Sequence, residues 1–197
     1  MRFSAGTGGG EGSQPTVTGR RRRLGRRWRR VLVSLLTVVL VFAAATAWVL
    51  VWPPQGMPSQ VSAIVLLAGP GDRMPVALKL ASEHRAPVLV VSQGSHGYGG
   101  PCPPRPPGVK VICFDPNPPT TRGEAEYVGK LARQYRWSSV VLVVSQPQAT
   151  RARILMGRCF GGPVYVATGP LPAGAWPYQI AYGWGALIKA LTAERSC

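Results

Sequence analysis

Acidic residues and histidines are scarce in this chain, and their scarcity limits the chemistry it can perform. Seven Asp and Glu residues stand against 23 Lys and Arg, and the two histidines are His84 and His96. The sequence contains no Cys-x-x-Cys or Cys/His pattern, Walker loop, G-x-G-x-x-G or G-x-S-x-G. We therefore predict no metal site and no common nucleotide-binding or serine-hydrolase site, and any cofactor is unknown.

Charge is also absent from residues 31–52, a run of 22 residues. At about 1.5 Å per residue this run makes a helix of roughly 33 Å, which is enough to cross a hydrocarbon core of about 30 Å. Trp28, Trp48 and Trp52 lie near its ends, where indole rings favour the membrane interface. We predict one transmembrane helix at 31–52.

Residues 1–30 hold nine arginines and a single acid, Glu11. The positive-inside rule then places this end in the cytoplasm and the rest of the chain outside the cell membrane, as a single-pass protein. We predict that residues 1–30 are a disordered basic cytoplasmic tail, since residues 4–19 are rich in Gly, Ser and Thr. The alternative is a signal peptide cleaved after Ala47, although the apolar run continues beyond that point. In both cases the C-terminal domain is extracytoplasmic.

The net charge of +16 raises the question of nucleic acid. Half of that excess lies in the tail, where it also serves as a topology signal. From residue 53 onward there are 14 basic and six acidic residues, and the arginines are scattered and not interleaved with aromatics. We therefore expect no nucleic acid as a partner. The expected partners are the lipid bilayer and an anionic small-molecule or lipid-linked ligand.

All four cysteines follow the apolar run. An even number of cysteines in an exported domain predicts disulfides, and four cysteines permit three pairings. We favour a Cys102–Cys113 bridge across a Pro-rich loop, which leaves Cys159 to pair with Cys197. The alternative is a free, buried Cys159 in a helix.

A Pro-rich linker at 53–60 precedes a domain at 61–197, in which apolar runs alternate with helical patterns. We predict strands at 61–68, 87–92, 109–114, 139–145 and 164–167, and helices at about 72–84, 121–136, 148–160 and 176–193. Asp72 is expected to cap the first helix, and Thr121 with Glu124 to form a capping box at the second. This alternation predicts an α/β domain with a Rossmann-like parallel sheet, helices on both faces and strand 139–145 at its centre.

Ligands of open α/β sheets bind beyond the carboxyl ends of the strands. The candidate ligand-binding residues at those ends are Gly69, Gly71, Arg73, Ser92, Gly94, Thr120, Thr121, Ser145, Gln148 and Arg151. Arg73 and Arg151, with Arg122 as a further candidate, are expected to clamp a phosphate or carboxylate beside helix N-termini. Glu124 and Asp72 are the candidate catalytic acids or bases. The alternative interpretation is turns, caps and solvated helix faces.

Four motifs in this order resemble the YdcF-like (SanA/ElyC) family over roughly residues 61–167. They are LLAGPGDR at 66–73, Ser92-Gln93-Gly94, TTRGEA at 120–125 and VSQPQATRA at 144–152. The resemblance implies a membrane-anchored α/β domain with a role in cell-envelope integrity. Gln148 stands where the family has His, and Gly123-Glu124 where it has Glu-Asn.

Three functions follow from these observations. The leading hypothesis is a membrane-anchored domain that binds an anionic, phosphorylated ligand related to the cell envelope. The second is an enzyme acting on such a ligand, which the loss of the family's His disfavours because Gln cannot transfer protons near neutral pH. The third is a non-catalytic envelope scaffold, for which the loop at 93–108 would fill the site.

Overall fold

The structure is a computed structural model that describes Gly8, residues 18–94 and residues 102–197. The segment at 4–19, which we predicted to be disordered, and His96 fall largely or wholly outside the described residues. The chain divides into two compact units, residues 1–43 and residues 44–197.

The first helix, α1 (Thr18–Thr46), continues into a π-helical turn at Ala47–Val51. The stretch Arg26–Val51 is long and apolar enough to cross a membrane, and it is a candidate membrane span by length and composition. The predicted apolar helix at 31–52 is confirmed as a helix that reaches Val51.

Two boundaries of this segment differ between the prediction and the structure. The helix begins at Thr18 and includes residues 18–30, because Arg and Leu favour helix and extending an existing helix needs no new nucleation. The predicted boundary between helix and linker at 52/53 does not separate the units either. Leu50 is 1% exposed inside the second unit, and the hydroxyl of Thr150 donates to the carbonyl of Val49 at 2.7 Å.

The second unit contains five strands and four longer helices among the described residues. The strands are β1 (Ala63–Leu66), β2 (Val88–Ser92), β3 (Lys110–Phe114), β4 (Val140–Ser145) and β5 (Val164–Gly169). The helices are α2 (Met74–Ser82), α3 (Thr121–Tyr135), α4 (Ala149–Cys159) and α5 (Trp176–Thr192). All neighbouring strands are parallel, in the order β3-β2-β1-β4-β5.

Helices cover both faces of the sheet because successive strand residues point to opposite sides. Ile64 and Val141 pack in one apolar cluster with Ala77 of α2. Val65 and Leu142 pack in the other cluster, with residues of α3, α4 and α5. The predicted Rossmann-like α/β domain is confirmed. The element ends differ from the prediction by a few residues.

Strand β4 is buried along its whole length and lies between β1 and β5. Val141 is in register with Ile64 on one side and with Tyr165 on the other. The uncharged sequence at 139–145 correctly predicts an interior parallel strand, although β1 holds the middle position.

The linker is not a free spacer. Gly56 forms an isolated antiparallel bridge with Val166 of β5, with its N–H 3.3 Å from the Val166 carbonyl. Arg153 of α4 donates to the carbonyl of Pro54 at 2.6 Å. Residues 53–60 are therefore tied to the edge of the sheet.

Two disulfides close the described part of the domain, Cys102–Cys113 and Cys159–Cys197. The first attaches the Pro-rich loop to β3, and the second attaches the C-terminus to the end of α4. The favoured pairing is confirmed, and Cys159 is not free.

Both predicted helix caps are wrong. Helix α2 begins after Arg73, and no side chain caps it. Helix α3 is capped by Thr120, whose Oγ1 accepts from the N–H of Gly123 at 3.2 Å. The Glu124 carboxylate does not cap its own helix, because it accepts a hydrogen bond from the buried N–H of Ala68 instead. An unpaired N–H costs more free energy when it is buried than when it lies at a helix end that water can reach.

Candidate functional site

A cavity of about 760 Å³ lies at the carboxyl edge of the sheet. The turn after β1, the end of β2, the start of α3, the start of α4 and one side of α5 line it. Residues of its lining include Ala68, Gly69, Gly94, Thr120, Thr121, Glu124, Gln148, Arg151, Tyr178, Tyr182 and Lys189. Its size is in the range of small-molecule sites.

The strand order explains why the cavity forms at this point. Strands β1 and β4 are neighbours, but the chain leaves β1 for α2 on one face and leaves β4 for α4 on the other. The two connections diverge and leave a crevice between them, at the topological switch point where open α/β sheets bind ligands. Gly69 follows β1 and Gln148 follows β4, so both line this crevice.

Glu124 is the buried acid of the site and is 2% exposed. It lies one turn into α3, and its Oε1 accepts from the N–H of Ala68 at 2.6 Å. Burial raises the pKa of Glu124 to about 7, against hydrogen bonding from Ser92 and Ala68 and the charges of Arg73 and Arg151, which lower it. The carboxyl therefore changes charge near neutral pH.

Ser92 lies at the end of β2 and is 1% exposed. Its hydroxyl is close enough to stabilise the charged form of Glu124. Within the described residues, however, its Oγ has no hydrogen-bond partner. This hydroxyl can therefore donate to a ligand or a water molecule.

Gln148 is 8% exposed and is held in one orientation. Its Oε1 accepts from the Ser145 hydroxyl at 3.1 Å, and its Nε2 donates to the carbonyl of Ala68 at 3.5 Å. The peptide groups of Ala68 are thus held by Glu124 on the N–H side and by Gln148 on the carbonyl side. A Cβ at Gly69 would lie 2.2 Å from the Gln148 Nε2, and Gly69 has a φ of +152°, so this position requires glycine.

Arg73 is only 6% exposed and does not line the cavity. Its guanidinium donates to the carbonyls of Leu67 and Gly69, and its Nε lies 3.3 Å from the carbonyl of Gly71. Burial lowers the pKa of Arg73, while Glu124 and Asp72 raise it. The guanidinium therefore stabilises the turn after β1 by hydrogen bonding to its carbonyl groups.

Arg151 lines the cavity from α4. Its guanidinium carbon lies 5.6 Å from the centre of the Tyr182 ring, a cation–π contact that restricts the side chain. Lys189 of α5 also lines the cavity, and its Nζ lies 3.0 Å from the Oε1 of Glu194. Arg151 forms none of the described salt bridges, and its charge lowers the pKa of Glu124.

The structure brings together six of the predicted ligand-binding residues, together with Glu124: Gly69, Gly94, Thr120, Thr121, Gln148 and Arg151 line the cavity. Ser92 and Ser145 lie buried at strand ends beneath them. Gly71, Asp72 and Arg73 are outside the lining. Gly71 makes a turn with φ +87°, and Arg122 pairs with Glu126 at 2.9 Å.

Sequence reasoning missed the wall that α5 contributes. Tyr178, Gln179, Tyr182 and Lys189 line the cavity from this helix. The aromatic stretch WPYQIAYGWG at 176–185 is the available signal. It does not reveal that the C-terminal helix reaches across the carboxyl edge of the sheet.

Among the residues that the structure describes, no group of three or more His, Cys, Asp and Glu side chains is placed to hold a metal ion. The chemistry that the described residues can supply consists of a carboxyl that titrates near pH 7, a fixed amide, a buried hydroxyl and two cations.

No family model matches the chain, and no curated protein matches it in sequence. The geometry of the cavity is therefore the main basis for a function.

Proposed function

We propose that this chain is a membrane-anchored extracytoplasmic domain that binds an anionic, phosphorylated ligand in the cavity at the carboxyl edge of its sheet. The observation that carries the proposal is Arg151, a cation that lines the same cavity as the N-terminus of α3 at Thr120 and Thr121. A helix N-terminus and a guanidinium together favour phosphate, since both present N–H donors and positive charge.

The anchor and its orientation rest on the N-terminal segment. The apolar stretch Arg26–Val51 follows a cluster of arginines, and the positive-inside rule puts that cluster in the cytoplasm. The two disulfides support an oxidising compartment for the rest. A signal peptide cleaved after Ala47 fits less well, because Thr46 accepts a hydrogen bond from Trp184 at 3.1 Å and belongs to the folded domain.

The role in cell-envelope integrity rests on the resemblance to the YdcF-like family. The four motifs that carry this resemblance meet around one cavity, with Gly69, Gly94, Thr120 and Gln148 in its lining. Such a convergence is what a shared binding site requires. It supports the resemblance without identifying the ligand.

Thermal unfolding of the detergent-solubilised full chain tests the binding proposal. The probes are inorganic phosphate, a nucleoside monophosphate, a polyprenyl phosphate and the matching polyprenol. A bound ligand raises the unfolding temperature, because it binds the folded state only. We expect stabilisation by at least one phosphate-bearing probe and none by the polyprenol. Equal stabilisation by the polyprenol, or none by any phosphate, would overturn the proposal.

The alternative function is an enzyme, and Glu124 is the observation that favours it. A carboxyl with a pKa of about 7 in a cavity wall can accept and return a proton at neutral pH. Asp72 is a weaker candidate because it lies outside the lining. Hydrolysis of the probe that stabilises the chain, abolished in Glu124→Gln, would establish this activity. Gln148→His should increase it by restoring the family's residue.

The scaffold hypothesis depends on the loop at 93–108. Residues 95–101 of that loop lie outside the described residues, so its position in the cavity is untested and the scaffold stays a hypothesis.

A further inference from the structure

One side of α5 carries an apolar stripe in which Trp184 is half-buried and the other residues are exposed. Pro177, Ala181, Trp184, Ile188 and Leu191 follow one another at spacings of three and four residues, which places them on one face of the helix. Ile188 is 57% exposed and Leu191 is 50% exposed. The helix sequence contains no acidic residue. An exposed apolar stripe of this kind marks an interaction surface.

The end of the apolar N-terminal run is attached to the same stripe. The indole N–H of Trp184 donates to the Thr46 hydroxyl at 3.1 Å. Leu50 is buried beside α5, where a Cβ at Gly183 would lie 3.2 Å from it. Trp48, on the same segment as Thr46, is 68% exposed. The residues that should leave the membrane are thus packed on the helix that carries the stripe.

We propose that the Trp184, Ile188 and Leu191 face of α5 lies on the outer surface of the bilayer that the apolar N-terminal helix crosses. This inference rests on the proposed anchor. Thr46 precedes Trp52, the end of the run, by six residues, or about 9 Å of helix. Trp184 is hydrogen-bonded to Thr46, so it lies at a similar depth in the bilayer. An amphipathic helix buries its apolar face about 5–10 Å into the boundary between headgroups and acyl chains, so the depths agree.

Charge favours a lipid surface over an apolar protein partner. Arg195 is exposed three residues beyond the end of α5, and Lys189, which pairs with Glu194, is exposed on the helix itself. From residue 53 onward the chain has 14 basic and six acidic residues. Basic side chains beside an apolar stripe are attracted to anionic headgroups.

The proposal has a consequence for the cavity. Tyr182 and Lys189 line the cavity from another side of α5. If the stripe lies on the bilayer, this wall stands beside the headgroups. A ligand with a lipid tail then reaches the cavity from the membrane surface, and its phosphate enters between Lys189 and Arg151.

Photo-labelling of the full chain tests the proposal. The chain is reconstituted into vesicles of phosphatidylcholine and phosphatidylglycerol that contain a lipid with a photoreactive group near the headgroup boundary. After illumination, adducts are mapped by peptide mass spectrometry. Tyr135, 41% exposed at the end of α3, is the internal control because it lies at the amino edge of the sheet. We expect the peptide containing residues 184–191 to carry several times more adduct than the Tyr135 peptide.

A paired variant sharpens the test. Ile188→Asp with Leu191→Asp should lose the α5 adducts and keep those in residues 31–52, whereas Tyr135→Asp should change neither. The wild-type map decides alone if the double variant does not fold. Adducts in 31–52 with α5 no higher than Tyr135 would overturn this proposal and leave the anchor intact. No adducts in either region would overturn the anchor as well. A cross-linked dimer joined through Lys189, without lipid adducts on α5, would assign the face to a second copy.

Discussion

The carboxylate of Glu124 and the backbone N–H of Ala68 form a hydrogen bond of 2.6 Å that joins α3 to the end of β1. This bond places an ionisable group at the switch point of the sheet. The bond also explains why Glu124, which the sequence predicts to cap its own helix, does not do so. The carbonyl of the same residue, Ala68, faces the amide of Gln148. A change in the charge of Glu124 therefore alters the hydrogen bond to Ala68, which belongs to the turn that lines the cavity.

The first prediction concerns the pH dependence of stability. The folded pKa of Glu124 is about 7 and the ordinary value is 4.5. Between these values the folded state binds more protons than the unfolded state, so the free energy of unfolding falls as pH rises and levels off above 7. The decrease from this group is at most about 3 kcal/mol. Thermal unfolding of the full chain at pH 4.5 to 8 measures it.

Glu124→Gln keeps an acceptor for the Ala68 N–H and removes the titration, so it should abolish this part of the decline. Glu126→Gln is the matched control, because Glu126 is on the same helix and pairs with Arg122 at the surface. Equal pH profiles for the Glu124→Gln variant and the wild type would show that Glu124 titrates normally.

The second prediction is that Arg73 stabilises the fold, since it does not line the cavity. Its guanidinium satisfies carbonyls of the turn after β1, including those of Leu67 and Gly69. Each buried acceptor left without a donor costs roughly 1–3 kcal/mol, so Arg73→Ala should lower the free energy of unfolding by at least about 2 kcal/mol. Arg122→Ala removes a surface ion pair and should cost less than about 1 kcal/mol. Denaturant unfolding that ranks the two variants in the opposite order would contradict this assignment.

The sequence predicts the sheet well because its signals are local. Uncharged runs such as Val140–Ser145 and the alternation of strands with helical patterns determine a parallel α/β fold. The motifs at strand ends also identify half of the residues that line the cavity, since the carboxyl ends of parallel strands share one edge. The predicted capping box fails because Thr120 is the cap and Glu124 pairs with Ala68, which is 56 residues away. The α5 wall is missed because its position depends on long-range packing.

The third prediction compares the two disulfides. Cys159 and Cys197 are separated by 38 residues, and Cys102 and Cys113 by 11. The entropy that a bridge removes from the unfolded chain grows with loop length, to about 4 and about 3 kcal/mol respectively. Cys159→Ser with Cys197→Ser should therefore destabilise the domain more than Cys102→Ser with Cys113→Ser. Non-reducing peptide mapping should first verify both links in exported protein. Free thiols at Cys102 and Cys113 there would refute the pairing.

The fourth prediction concerns topology. A reporter that is active only outside the membrane should work when fused after Cys197 and fail when fused at residue 19, because the positive-inside rule predicts that the arginine cluster stays in the cytoplasm. The intact mass should show no cleavage after Ala47. The reversed reporter pattern would contradict the anchor orientation, and a mass lacking residues 1–47 would establish a signal peptide.

The last prediction addresses the proposed anion site through Arg151. If its guanidinium binds the phosphate, Arg151→Ala should weaken binding of the stabilising probe by about 1.5–3 kcal/mol, the value of a charged hydrogen bond. Arg151→Lys should recover only part of the lost affinity, because a lysine cannot form the two parallel bonds of a guanidinium.

Arg151→Ala should also raise the pKa of Glu124 further, since the arginine charge lowers it. Arg153→Ala is the control for net charge, because Arg153 lies on the same helix and donates to Pro54 instead. Isothermal titration of the four proteins measures the affinities. Equal affinity of the wild type and Arg151→Ala would exclude this arginine from the ligand, whereas equal losses in the two alanine variants would reduce the effect to general electrostatics.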